Sequence, residues 1–130
     1  MTAPVGIVLV SHSPLLASGL RELTGQLSGG GVPVAVAAGD VGGGIGTSAE
    51  LVAAALEQAD RGAGVLVLAD LGSAVLTARA VLADLDRPEL LLVDAPFVEG
   101  AVAAVVTAST GAELAEVARQ AEEAWQARKL

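Results

Sequence analysis

The sequence predicts a three-layer α/β domain, with helices on both faces of a mainly parallel four-stranded sheet. Three observations carry this expectation. Four short runs, Val5–Val10, Val32–Ala38, Gly64–Ala69 and Leu90–Val93, are apolar almost throughout, as strands buried on both faces are. Segments with helical spacing separate them, so each connection is long enough to join parallel neighbours. The chain has 130 residues and shows neither an internal repeat nor a linker, which is the size and texture of one domain spanning 1–130.

The first run ends abruptly in Ser11-His12-Ser13, and Pro14 follows at a position where proline starts helices well. Leu16, Leu20, Leu23 and Leu27 then recur at helical spacing until Gly29-Gly30-Gly31 stops the helix. The second strand leads into a glycine-rich stretch, Gly39 to Gly46. Thr47-Ser-Ala-Glu50 reads as a capping box opening a helix whose apolar face is Leu51, Val52, Ala55, Leu56 and Ala59. The third strand ends at Asp70, and a helix from about Ser73 to Leu85 stops before Pro88. After the fourth strand and Asp94, a less amphipathic helix covers Val98–Ala108. Thr110-Gly-Ala-Glu113 reads as a second capping box, opening a charged helix that reaches Trp125. Glu113, Glu116, Arg119, Glu122 and Glu123 suit a solvated face; the other reading is a docking surface anchored by Trp125.

Composition excludes several functions. The chain is 53% hydrophobic, yet Gly, Asp and Glu interrupt every apolar run before the roughly eighteen residues a spanning helix needs. No basic region precedes Val5–Val10, so that run reads as a strand and not as an export signal. With no cysteine either, the expected location is the cytoplasm. The net charge is −8, the seven Lys and Arg are scattered, and aromatic residues make up 2%. Neutralising phosphates or stacking on bases needs the opposite balance, so nucleic acid is not an expected partner. An acidic surface suits a basic protein partner or simple solubility.

In parallel α/β sheets, ligands bind beyond the C-terminal strand ends, where the strand order reverses. With the order 2-1-3-4, the first and third strands are neighbours there, and His12 faces Asp70. His12 is the only histidine, hence the one side chain whose unperturbed pKa suits proton or group transfer near neutral pH. A carboxylate at one imidazole nitrogen fixes the tautomer and leaves the other nitrogen as the nucleophile. Amides in the glycine-rich turns and at helix N-termini, with hydroxyls from Thr47, Ser48 and Ser73, suit an incoming phosphoryl group. A structural role for a lone histidine, and a helix-capping role for Asp70, remain open on spacing alone.

Other chemistries fit less well. Ser11 and Ser13 flank His12 too closely to line up with its ring, and no G-x-S-x-G elbow occurs, which disfavours a serine hydrolase. A phospho-aspartate at Asp70 lacks an acidic pair after the first strand to hold magnesium. One histidine and dispersed carboxylates suggest no metal site and no resident cofactor. The serious rival is a dinucleotide site: Gly44-Ile-Gly46-Thr-Ser-Ala49 satisfies G-x-G-x-x-G/A, although Gly39 to Gly43 loosen the turn before it.

Val8-Leu-Val-Ser-His12-Ser, Ala37-Ala-Gly39 with Ile45-Gly-Thr47, Asp70-Leu-Gly-Ser-Ala74 and Ala95-Pro-Phe-Val-Glu-Gly100 occur in the order seen in one family. The chain resembles, over essentially its whole length, the phosphotransferase subunit of dihydroxyacetone kinase, with a mannose-type enzyme IIA-like fold. The resemblance implies a phosphorelay. His12 would accept a phosphoryl group from phospho-HPr and pass it to ADP on the kinase's nucleotide-binding subunit. Asp70 matches the carboxylate beside the histidine and the Gly72-Ser73 turn the phosphate-proximal loop; Ser13, Gly46 and Thr47 fall near the phosphate as well. The resemblance also implies a homodimer and, for a single-domain form, dependence on a free HPr. A mannose-type sugar-transporter IIA domain is the sibling reading.

Overall fold

The computed structural model describes residues 3–130. Four parallel strands, β1 (Gly6–Ser11), β2 (Val34–Ala38), β3 (Val65–Ala69) and β4 (Leu90–Leu92), form one sheet in the order β2-β1-β3-β4, as expected. The helices are α1 (Pro14–Ser28), α2 (Ala49–Ala59), α3 (Gly72–Leu85), α4 (Phe97–Ser109) and α5 (Leu114–Glu123), with a 3-10 turn at Ala124–Gln126.

Side chains alternate across a strand, so each strand feeds two cores. Ile7, Leu9, Leu66 and Leu68 pack with Leu20 of α1, Ala104 and Val105 of α4 and Val117 of α5. Val8, Val10, Val65 and Val67 pack with Val52 and Leu56 of α2 and Ala74 and Val81 of α3. Because β1 is central and covered on both sides, all six of its residues are buried and its sequence shows no polar alternation. Burying each large apolar side chain contributes about 1.5–3 kcal/mol. Four such residues in succession, Ile7 to Val10, anchor the strand that delivers His12. Small residues set the layer spacing. At Gly6 a Cβ would lie 2.1 Å from the Ala59 carbonyl oxygen, so only glycine admits the last turn of α2 there.

Several boundaries differ from the sequence reading. β1 runs one residue later, Gly6–Ser11, and so takes in Ser11. β2 starts at Val34 and not Val32, because Pro33 has no N–H to give the ladder. β3 starts at Val65, one residue after Gly64, and β4 ends at Leu92, although the Val93 amide still donates to Val67 at 3.1 Å. α3 starts at Gly72, one residue before Ser73, and α4 runs one residue further at each end than Val98–Ala108. α2 is capped by Ser48, whose hydroxyl accepts from the Leu51 amide, while Thr47 is drawn to Thr77 at 2.8 Å. The second capping box does not form. Thr110 turns back to donate to the Thr107 carbonyl at 2.7 Å, and α5 starts behind Glu113 without a side-chain cap. α5 stops at Glu123, leaving Trp125 in the 3-10 turn. On α5, Val117 and Ala121 are buried while the Glu116–Arg119–Glu123 ion pairs lie on its solvated face.

Candidate active site

β1 and β3 end side by side, Val10 opposite Ala69, and the Asp70 amide extends the ladder by donating to Val10 at 3.0 Å. That register sets His12 against Asp70. The His12 Nδ1 lies 2.8 Å from Asp70 Oδ1, and the His12 backbone amide donates to Oδ2 at 3.0 Å, so one carboxylate holds the residue by main chain and ring together. Ser11 Oγ donates to Oδ2 at 2.9 Å and the Leu71 amide to Oδ1 at 2.7 Å. Burial alone would push the Asp70 carboxyl up; hydrogen bonds from the His12 amide, the His12 ring, Ser11 and Leu71 outweigh it and hold the group below the usual carboxylate range. An ionised Asp70 has no proton to give, so Nδ1 carries the hydrogen and Nε2 presents its lone pair. The two side chains remain partly accessible, 19% for His12 and 8% for Asp70.

Nε2 faces α3. Ser73 Oγ, on that helix's first turn, is within hydrogen-bond reach of Nε2 and is the donor this tautomer accepts. Gly72 and Ser73 are the first two helical residues, whose amides have no acceptor within the helix and lie at its positive end. Asp70 is not the cap of α3: that position belongs to Leu71, which makes no side-chain cap hydrogen bond. The capping alternative therefore falls away in favour of the histidine contact.

The other expected phosphate-proximal residues frame this centre without touching Nε2. Ser13 is the N-cap of α1, its hydroxyl accepting from the Leu16 amide at 3.3 Å. The Gly46 amide donates to the His12 carbonyl at 3.0 Å, and the Gly39 amide to the Ser11 carbonyl at 3.1 Å, so both ends of the β2–α2 loop are fastened to the end of β1 and the residue after it. Thr47 bonds Thr77, which in turn donates to the Ser73 carbonyl at 3.2 Å and ties the loop to α3. The amides of Gly42, Gly43 and Gly44 turn inward, because Asp40 Oδ1 accepts from Gly42 and Gly44, both at 2.9 Å, and the Asp40 carbonyl accepts from Gly43. A pyrophosphate would find those glycine donors already spent, which counts against the dinucleotide reading and against the role expected of the glycine-turn amides. The Ser48 hydroxyl accepts from the Leu51 amide at 3.3 Å as the cap of α2. Two residues were missed by sequence reasoning, Ser11 as a partner of Asp70 and Thr77 as the link to Thr47.

On the β4 side of Asp70 a cleft of about 480 Å³ is lined by Val75, Arg79, Leu92, Asp94 and Trp125. Trp125 donates its indole hydrogen to the Asp94 carbonyl at 3.1 Å and is 60% exposed. Among the described residues no three His, Cys, Asp or Glu side chains gather as a metal site, and no helix is long and apolar enough to cross a membrane.

Residues 6–118 match the family described as the PTS system fructose IIA component, which covers most of the chain. The chain belongs to that family. Among IIA-type relatives, the phosphoryl donor subunit DhaM of the PEP-dependent dihydroxyacetone kinase from Providencia stuartii is 39% identical over 132 residues, covering 96% of this chain and 28% of the relative. The phosphotransferase subunit DhaM of the PTS-dependent kinase from Lactococcus lactis is 35% identical, covering 90% of this chain and 93% of the relative. This chain thus spans between a quarter and a third of the Providencia protein and nearly all of the Lactococcus one. A crystal structure of a protein of unknown function superposes with a TM-score of 0.81 at 30% identity, covering 95% of each chain. The IIA fold expected from the sequence is therefore the fold observed.

Proposed function

We propose that this chain is the phosphoryl-relay component of a PEP-dependent dihydroxyacetone kinase. His12 takes a phosphoryl group from phospho-HPr on Nε2 and passes it to ADP bound on the kinase's nucleotide-binding subunit. The observation that carries the reading is the Asp70–His12 contact of 2.8 Å at Nδ1, which leaves Nε2 as the nucleophile beside the first turn of α3. The names of the relatives support the substrate assignment.

In the first step the Nε2 lone pair attacks phosphorus while the P–N bond to the donor's imidazole breaks, and the donor nitrogen leaves with its electron pair. The His12 ring gains positive charge, which the Asp70 carboxylate faces at Nδ1. Ser73 Oγ, which covers Nε2 at rest, swings aside and donates to a phosphoryl oxygen, and the Gly72 and Ser73 amides face the same group. In the second step a terminal phosphate oxygen of ADP attacks, the P–N bond breaks, and Nε2 recovers its lone pair. Positioning and fixed dipoles suffice for both displacements.

The surface around Nε2 suits transfer between proteins. Leu15 and Leu16 of α1, Val41 and Ile45 of the β2–α2 loop, and Leu71 and Leu76 at the start of α3 are all exposed. We take these side chains, on the three segments that frame His12, as an apolar collar for a partner, since exposed apolar patches mark contact surfaces. A cytoplasmic homodimer charged by phospho-HPr belongs to the same proposal. A sugar-transporter IIA role is the second reading, favoured by the fructose wording of the family description.

The test is incubation with phosphoenolpyruvate, enzyme I and HPr. One acid-labile phosphoryl group per chain is expected, and none on His12→Ala; full labelling of that variant overturns the assignment. Discharge of the labelled protein by the ADP-loaded kinase subunit, and not by a sugar-transporter partner, separates the two readings.

A further inference from the structure

Among the described residues, Ser11 and Thr24 are the polar side chains fully removed from solvent. Thr24 serves its own helix, donating to Leu20 at 3.0 Å, as mid-helix threonines commonly do. Ser11 instead bonds out of its strand. Its hydroxyl donates to Asp70 Oδ2 at 2.9 Å and accepts the Ser13 amide at 3.1 Å. The Ser13 carbonyl, at 3.2 Å, competes for the same hydroxyl proton, and the ionised carboxylate is the stronger acceptor. One buried oxygen therefore joins the turn that carries His12 to the carboxylate that orients it.

We propose that Ser11 is a positioning residue, whose hydroxyl fixes the Asp70 carboxylate so that Oδ1 faces His12 Nδ1 and Nε2 is kept unprotonated and outward. Oδ1 also accepts the Leu71 amide at 2.7 Å, but that donor is the backbone neighbour of Asp70 and leaves Oδ2 to be held from β1. Oδ2 has two donors, Ser11 and the His12 amide, and the amide travels with the ring it would have to align. Without Ser11 the carboxylate keeps no side-chain contact other than His12 itself. Among charged groups near Asp70, Arg79 of α3 and Asp94 after β4 line the cleft on its far side, and Asp40 is turned into its own loop. Arg79 lies six residues beyond Ser73, about 240° around α3, whereas Thr77 shares the Ser73 side at i+4. None of these replaces the hydroxyl.

The kinetic consequence rests on the relay reading, whereas the orientation of the resting ring does not. The chain has one histidine, so its ring nitrogens give a single set of 15N signals whose shifts report the tautomer. In the wild-type protein Nδ1–H is expected at neutral pH. In Ser11→Ala, with the thermal melt showing a folded protein, a measurable population of the Nε2–H tautomer is expected. Phosphoryl uptake from phospho-HPr is expected to fall about tenfold or more, the scale of a slightly misplaced reacting group. In an Asp70→Asn background the same Ser11→Ala change should leave the tautomer ratio unmoved, since Ser11 acts through Asp70; an equal shift there marks a merely structural effect and overturns the proposal. A wild-type tautomer ratio in folded Ser11→Ala also overturns it, whether or not labelling occurs. Should Ser11→Ala fail to fold, Ser11→Cys fills the space with a much weaker donor, and the same two outcomes are read from it.

Discussion

Asp70 meets four donors with two oxygens, and that saturation is why a carboxylate with an 8% exposed side chain stays ionised beside His12. Asp70→Asn offers one acceptor oxygen and one amine, so two of the four donors lose their acceptor whichever way the amide sits. If the amine faces Nδ1, the ring must hold its proton on Nε2 and the nucleophile is gone. Phosphoryl uptake should fall by up to about 10⁴-fold, the loss that follows when a tautomer-fixing carboxylate is amidated. The orphaned donors should cost about 1–3 kcal/mol of stability. Rapid-quench labelling and chemical denaturation check the two halves, and wild-type rates would make Asp70 a structural residue. The pH dependence follows from the same contacts. The folded carboxyl lies below its ordinary value of 3.8, so the unfolded chain takes up the proton first as pH falls. Its stabilisation is complete above that value and is lost as pH drops through the folded pKa; Asp70→Asn removes this part of the acid limb. His12 and Asp70 were legible because each ends a strand, and strand ends converge in this architecture. Ser11 was not, since nothing local marks a serine whose partner lies 59 residues away.

The β2–α2 loop shows what an element contributes beyond its residues. Bonded to the end of β1 and the residue after it through the Gly39 and Gly46 amides, and to α3 through Thr47 and Thr77, it ties both sides of the switch point together. Gly39 has φ of 72°, and a Cβ there would sit 2.5 Å from the Gly44 carbonyl oxygen and 2.9 Å from Pro14 Cγ. Gly39→Ala should therefore destabilise by about 1–2 kcal/mol for the left-handed backbone alone, and by more for the contacts. Thermal unfolding several degrees below the wild type, with faster amide exchange over residues 40–46, is the expected result; an unchanged melt would mean the loop has room the geometry denies. The loop's glycine richness was plain in the sequence, but its purpose was not. Glycines before a helix read as a phosphate cradle until Asp40 is seen to take their amides. The caps misled for a related reason. Thr47 and Ser48 are adjacent hydroxyls either of which can cap, and only the distant Thr77 decides between them. The strands themselves, by contrast, were legible because each is a local apolar run, whereas their order rests on pairings between distant segments.

At the scale of the molecule, a chain of net charge −8 carries exposed aliphatic side chains on the three segments that meet at its one histidine, the proposed collar. The segments 11–18, 39–47 and 70–76 hold Asp40 and Asp70 and no Lys or Arg. A partner that docks there should bring an apolar patch for the collar and basic residues around it. Leu15 is 87% exposed and Ile45 74%, so replacing both with Glu touches no core and should leave stability within about 0.5 kcal/mol per site. Covering each in an interface is worth about 1.5–3 kcal/mol. Losing them should raise the KM for phospho-HPr by about tenfold or more, at 1.4 kcal/mol per factor of ten. A small phosphoryl donor such as phosphoramidate reaches Nε2 without covering the collar, so its labelling of the same variant should match the wild type. Equal losses with both donors would place the defect in the site and not in docking, and an unchanged KM for phospho-HPr would remove the collar from the interface. Added salt supplies an independent check: complementary charges speed encounter, so the wild-type uptake rate should fall as ionic strength rises, because the screening length shrinks from about 30 Å at 0.01 M to about 8 Å at 0.15 M.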